Sequence, residues 1–212
     1  MRRDNGPTAL LIVIVTVLFA DGAAFVARGL APVQAAVADS PLLGRPPVTT
    51  APPTTQLGLQ PTQPRQPVGV PKDAYAPEKV VQIGAIEIPK IGLVHPLYEG
   101  ITLNSIDRGP SHWPGTAYPG EIGNAVFAGH RVTHTHPFLR INELVPGDVV
   151  IFTVGGLRSV YTMTSSEVVR PSATWIANQT TTATATLFGC HPPHSATYRY
   201  VVHLALESLQ RL

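Results

Sequence analysis

Apolar and polar positions follow three different rhythms along this chain. Positions 8–20 are almost unbroken hydrocarbon, Asp21 interrupts, and 22–27 resumes the apolar run. As a helix, 8–27 reaches about 30 Å, enough for the hydrocarbon core of a bilayer. Arg2 and Arg3 precede it, which favours a cytoplasmic N-terminus and an exported remainder. Asp21 is costly at mid-bilayer but tolerable near the outer interface. A cleaved signal peptide with its apolar region at 9–20 is the competing reading. The A-x-A sequence at 36–38 lies far beyond that region for such a site.

From 39 to 78 no periodicity survives. Ten of these forty residues are proline, and large apolar groups are few. Such a composition buries too little surface to offset its ordering entropy and predicts a linker, with local polyproline II.

After 79 short runs with period two recur between turn signals. They predict strands at 83–89, 95–99, 124–128, 148–154, 159–165, 184–189 and 198–206. A short helix is expected at 102–107. Phe138, Ile141 and Leu144 share one helical face, so 137–144 is expected to be a second. On the last strand Arg199, Val201, His203 and Ala205 share a face, with Tyr198, Tyr200, Val202 and Leu204 on the other. The expected organisation is a membrane segment in 1–38, a linker in 39–78 and one mainly β domain in 79–212. Seven or eight short strands in that length suggest a closed barrel or a sandwich.

Charge adds an exclusion. The 212-residue chain has a net charge of +2, and from Lys79 onward nine basic residues face eight acidic ones. No basic stripe points to nucleic acid.

The chemistry concentrates at strand ends. Cys190 is the only cysteine, so it cannot form an internal disulfide. It stands in TLFGCHP at 186–192, where an apolar run meets proline. His130 closes NAVFAGHR at 124–131, and Arg199 opens the last strand. A thiolate attacks carbonyls well, an imidazole moves the proton, and a guanidinium steadies an oxyanion; together they fit thiol acyl transfer. Read one by one, the cysteine fits an inert core residue and the arginine a surface one. Two histidine-rich stretches leave zinc open as well. They are His130, His134 and His136, and Cys190, His191 and His194.

Three ordered motifs resemble the sortase family, most closely its class E branch. They are GPSHWPGTAYPGEIGNAVFAGHR at 109–131, TLFGCHP at 186–192 and RYVV at 199–202. The resemblance covers about 83–206, and the Pro-Gly-Asp turn at 146–148 also falls in the family's place. It implies an eight-stranded sortase-type β-barrel with one or two short helices. It makes Cys190 the nucleophile, His130 the general acid/base and Arg199 the stabiliser of substrate and oxyanion. It also implies substrates with an LPxTG or LAxTG sorting signal and an amine of a peptidoglycan precursor as acceptor. Trp113, Tyr118, Gly189 and His191 are candidate substrate contacts. No cofactor is implied; Glu121 and Glu143 are too few oxygen donors for calcium. Gly189 departs from the family, which usually has threonine there, and this puts substrate preference and rate in question. A weakly active or inactive sortase-like binding module is the second reading. The place implied is the cell membrane, with the catalytic domain outside the cytoplasm.

Overall fold

A computed structural model describes residues 65–212; the predicted membrane segment and the linker up to 64 lie outside them. Among the described residues, no helix is long and apolar enough to cross a membrane.

Eight strands form a closed barrel. They are β1 (Val81–Ile88), β2 (Leu93–Glu99), β3 (Ser111–His112), β4 (Gly123–Ala128), β5 (Val149–Val154), β6 (Leu157–Val169), β7 (Ala183–His191) and β8 (Tyr198–Arg211). Their order around the barrel is β1-β2-β3-β4-β7-β8-β6-β5. One α-helical turn, α1 (Leu103–Ile106), and three short 3-10 turns complete it.

Alternation decides which side chains fill the barrel. On β4, Ala125 and Phe127 point inward; on β7, Ala185 and Leu187; on β8, Val202 and Leu204. Phe127 stacks on Phe152 at 4.8 Å between ring centroids, and Phe152 meets Tyr161 edge-on at 5.4 Å. Each fully buried aromatic or aliphatic side chain here stabilises the fold by about 1.5–3 kcal/mol of transfer energy.

All six residues of β4 are buried, because its outer face is covered too. Val126 packs there with Trp113 and Ala177, and Phe188 of β7 joins them. The 3-10 turn Thr174–Ala177 supplies this cover. It is latched by polar groups: Asn124 Nδ2 donates to the Ile176 and Asn178 carbonyls, and Gln179 Oε1 accepts from the N–H groups of Ala117 and Asn124. The β4 and β7 strands are parallel, which is consistent with burial on both faces.

Two expectations need correction. Residues 137–144 form only a 3-10 turn, Ile141–Glu143. Phe138, Ile141 and Leu144 are buried together all the same. The Leu139 carbonyl receives the Arg131 guanidinium, and the Phe138 carbonyl is shared between that guanidinium and Ile141 N–H. The other correction concerns 65–78, placed by composition in the linker. These residues lie along the barrel. Val68 N–H donates to Pro114 O at 2.8 Å, and Leu103 N–H to Ala74 O at 2.7 Å. The Glu78 carboxylate accepts from Ile101 N–H, Thr102 N–H and Thr102 Oγ1.

Candidate active site

Strand register assembles the site. Cys190 on β7 is the direct antiparallel partner of Arg199 on β8. Directly opposed residues point to the same face, with Cβ atoms about 4.5–5.5 Å apart. On the other side of β7, Ala128 of β4 is level with Phe188. Gly129 N–H continues that ladder to Phe188 O at 3.0 Å. Two strands and the loop that leaves β4 therefore bring cysteine, arginine and histidine together on the outside of the barrel.

The three residues border a cavity of about 300 Å³. Cys190, His130 and Arg199 line it beside an apolar wall that includes Leu103, Ile106, Ile176 and Phe188. Residues of the 65–78 segment, Val70, Pro71, Asp73 and Ala74, form part of the rim. A mostly apolar pocket with a few converging polar groups is what a peptide-sized ligand requires. Cys190 is half-buried and in no disulfide, and Arg199 Nη1 donates to the Ala196 and Tyr198 carbonyls at 3.0 Å each. These bonds fix the guanidinium at the mouth of the β7–β8 connection.

His130 has a partner that spacing did not reveal. Its Nε2 lies 2.7 Å from Asp107 Oδ1, and both side chains are largely buried. Asp107 caps the C-terminal end of α1, and its other oxygen accepts from the Tyr75 hydroxyl at 3.3 Å. The carboxylate thus orients the imidazole. Among the described residues no hydrogen bond joins the Cys190 sulfur to His130.

Arg131 was missed as well. It is only 2% exposed, and burial pulls its pKa below arginine's ordinary value. Its Nε donates to Phe138 O, Nη2 to Leu139 O and Asn142 Oδ1, and Nη1 to Cys190 O and His191 Nδ1. One guanidinium therefore ties the loop after His130 to the strand end carrying Cys190. The only sequence signal was its place next to His130.

The four candidate substrate contacts divide. Trp113 lines the cavity but is 5% exposed, with its indole N–H given to Val68 O at 2.7 Å. Gly189 also lines it, and a Cβ there would stand 2.7 Å from Gly129 O and 2.9 Å from Arg131 Cγ. The Gly129 carbonyl and the stem of Arg131 together take up the space a side chain at 189 would need. Tyr118 is not among the lining residues; it stacks on His112 at 4.5 Å and donates to Glu99 Oε2. His191, also outside the lining, points its Nδ1 to Arg131. The Cys/His zinc sets do not assemble. The metal-competent cluster among the described residues is Asp107, His130 and His134, without Cys190, His136, His191 or His194.

The barrel and the cysteine–histidine–arginine site define a thiol-centred β-barrel of one class, and the sequence assigns it. The chain belongs to the sortase family: a sequence model of the sortase domain matches residues 86–207, more than half of the 212. It is 34% identical to sortase SrtE1 of Streptomyces coelicolor over 133 residues, covering 55% of this chain and 38% of that protein. It is 38% identical to sortase D of Bacillus subtilis over 77 residues, covering 36% and 37%. The matched stretches thus span well under half the length of either relative. The crystal structure of S. coelicolor sortase E1 with a tripeptide in its active site superposes with a TM-score of 0.58. It is 30% identical, covering 61% of this chain and 90% of that one. These likenesses agree with the class E motifs.

Proposed function

We propose that this chain is a cysteine transpeptidase of class E type that cleaves an LPxTG- or LAxTG-like sorting signal and passes the cleaved protein to an amine of a cell-wall precursor. The observation that carries this reading is the register pairing of Cys190 with Arg199, with His130, two residues beyond the end of β4, lining the same cavity. The tripeptide held in the active site of the sortase E1 relative supports a peptide as ligand.

In this mechanism the Cys190 thiolate attacks the carbonyl carbon of the signal's threonine. The carbonyl oxygen takes the electron pair, and the Arg199 guanidinium stabilises it. The C–N bond to glycine then breaks, and the imidazolium of His130 protonates the departing amine. A thioester remains on Cys190. The acceptor amine loses its proton to His130 as it attacks, and the thiolate leaves. The cavity's apolar wall takes the signal's leucine. Asp107 orients His130 and stabilises the imidazolium, and Arg131 fixes the backbone on either side of the reacting pair. The apolar run at 8–27 anchors the chain in the membrane with the barrel outside the cytoplasm.

The test is transfer of LAxTG and LPxTG peptides to an amine by the full chain, with mass spectrometry of the enzyme during turnover. Cys190→Ala and His130→Ala are expected to abolish transfer, and Arg199→Ala to reduce it by about 10²–10³, the usual loss for one oxyanion donor. Wild-type transfer by Cys190→Ala overturns the mechanism. A thioacyl adduct on Cys190 separates an active enzyme from a binding module.

A further inference from the structure

We propose that Asp107, His130 and His134 form a site for a single divalent transition-metal ion, Zn²⁺ in particular, and that the ion silences the enzyme by occupying His130. Both imidazoles present Nε2 to the same carboxylate oxygen: His130 at 2.7 Å and His134 at 3.3 Å from Asp107 Oδ1. The rings stack at 5.0 Å with 21° between their planes, and their Nε2 atoms share Asp107 Oδ1 as neighbour. All three ligand atoms lie within 4.8 Å of one another. Tetrahedral zinc with bonds of about 2.0–2.1 Å places neighbouring ligands about 3.4 Å apart. The observed spacing is close enough that side-chain adjustments alone admit the ion.

The donor set suits this metal. Two imidazoles and one carboxylate are the set of catalytic-type zinc sites, which leave a fourth position for water. Access is available, since the His134 side chain is 44% exposed while His130 and Asp107 are 16% and 17% exposed. The second carboxylate oxygen of Asp107 is held by the Tyr75 hydroxyl at 3.3 Å, and outer hydrogen bonds of this kind orient metal ligands. The backbone also serves the geometry. His134 has φ of 51°, a left-handed conformation uncommon outside glycine, and this turns the loop back so that its ring meets Asp107. Without metal, one carboxylate faces two imidazoles; a dication requires both rings neutral and releases any proton they carry.

The consequence follows from the lone pair. A zinc ion bound to His130 Nε2 removes the ring's freedom to take and return a proton, and it fixes the ring against Asp107. The silencing half rests on the transpeptidase reading; the binding half does not. Binding is therefore measured separately, by calorimetry with Zn²⁺ and by visible absorption with Co²⁺, on the full chain carrying Cys190→Ala. That background removes any thiolate contribution. One ion per chain is expected, with a tetrahedral Co²⁺ spectrum free of sulfur charge transfer. His134→Ala and Asp107→Asn should each weaken binding by about tenfold or more, and circular dichroism checks that both variants fold. His136→Ala, two residues along the same loop and outside the cluster, should bind as before. Absence of stoichiometric metal, or equal binding by His134→Ala, overturns the site. With Cys190 present, Zn²⁺ should stop peptide transfer and a chelator should restore it. Undiminished transfer by zinc-loaded protein overturns the silencing. A chain inactive even without metal counts against the transpeptidase reading and leaves the binding result standing.

Discussion

Gly189 and Arg131 occupy one volume between them. A side chain at 189 meets Gly129 O at 2.7 Å and the Arg131 stem at 2.9 Å. One of those contacts is backbone and the other belongs to a guanidinium committed to five acceptors, so neither yields cheaply. Gly189→Ala is expected to cost about 1–3 kcal/mol, the usual range for overpacking, read as a lower urea midpoint. An unchanged midpoint would show that both the Gly129 carbonyl and Arg131 can move aside. Tyr161 offers a test at alkaline pH. Burial raises its pKa to about 12, although the N–H of Gly120, donated to its hydroxyl, acts in the opposite direction. The unfolded chain ionises this phenol near pH 10, where the folded one still holds its proton. Between those values the native state binds more protons, so stability falls as pH rises. Wild-type stability is expected to drop from pH 10 to 12 by up to about 1.4 kcal/mol per pH unit through this group. Tyr161→Phe should lack that part of the slope. Equal slopes in the two proteins would remove Tyr161 as its source.

At the scale of elements, Glu78 caps the approach to α1. Burial pushes its pKa up, but hydrogen bonds from Thr102 Oγ1 and the Ile101 and Thr102 N–H groups outweigh it, and the net shift is downward. A lowered carboxylate pKa contributes stability above the unfolded value, near 4.3. That contribution fades as pH falls through the folded value. Glu78→Gln should therefore be less stable than wild type at pH 7 by about 0.5–2 kcal/mol, as for loss of a helix cap, with the gap narrowing below pH 4. A gap that stays constant to pH 3 would rule out the charge as its origin. This capping also marks what the sequence conceals. Short β-rich runs between turn signals located seven of the eight strands, by alternation where one face is open and, for β4, by an apolar run buried on both faces. They passed over β3, whose two residues are too few to alternate and are held by Tyr98, Glu99 and the end of β4. The cysteine–arginine pairing was legible because β7 and β8 are joined by a short connection. Asp107 was not, since its 23-residue separation from His130 is closed only by the parallel β2–β3 crossing.

At the scale of the molecule, the question is where the folded unit begins. Proline content assigns 65–78 to the linker, yet these residues supply fixed partners to the barrel. Val68 O accepts the Trp113 indole N–H at 2.7 Å, and Arg65 pairs with Glu121 at 2.7 Å and donates to Thr116 O. Outside the turn closed by Ala76 N–H on Asp73 O, the segment's backbone groups bond the adjacent barrel surface, as Val68 does through both N–H and C=O. Composition cannot show this, because the segment is ordered by what it lies against. A chain from Arg65 and one from Lys79 should therefore differ. Removing 65–78 leaves the buried indole N–H of Trp113 without its acceptor and uncaps α1, at a combined cost of about 2–4 kcal/mol. It also takes Val70 and Pro71 from the cavity rim. With Trp175→Phe in both chains, Trp113 is the sole tryptophan, and its emission should shift to the red in the shorter one as water reaches the ring. Transfer of a sorting-signal peptide should then show a higher KM from the lost cavity wall and a lower kcat from loss of the Tyr75 hydroxyl that holds Asp107 beside His130. Equal stability and identical emission would return 65–78 to the linker.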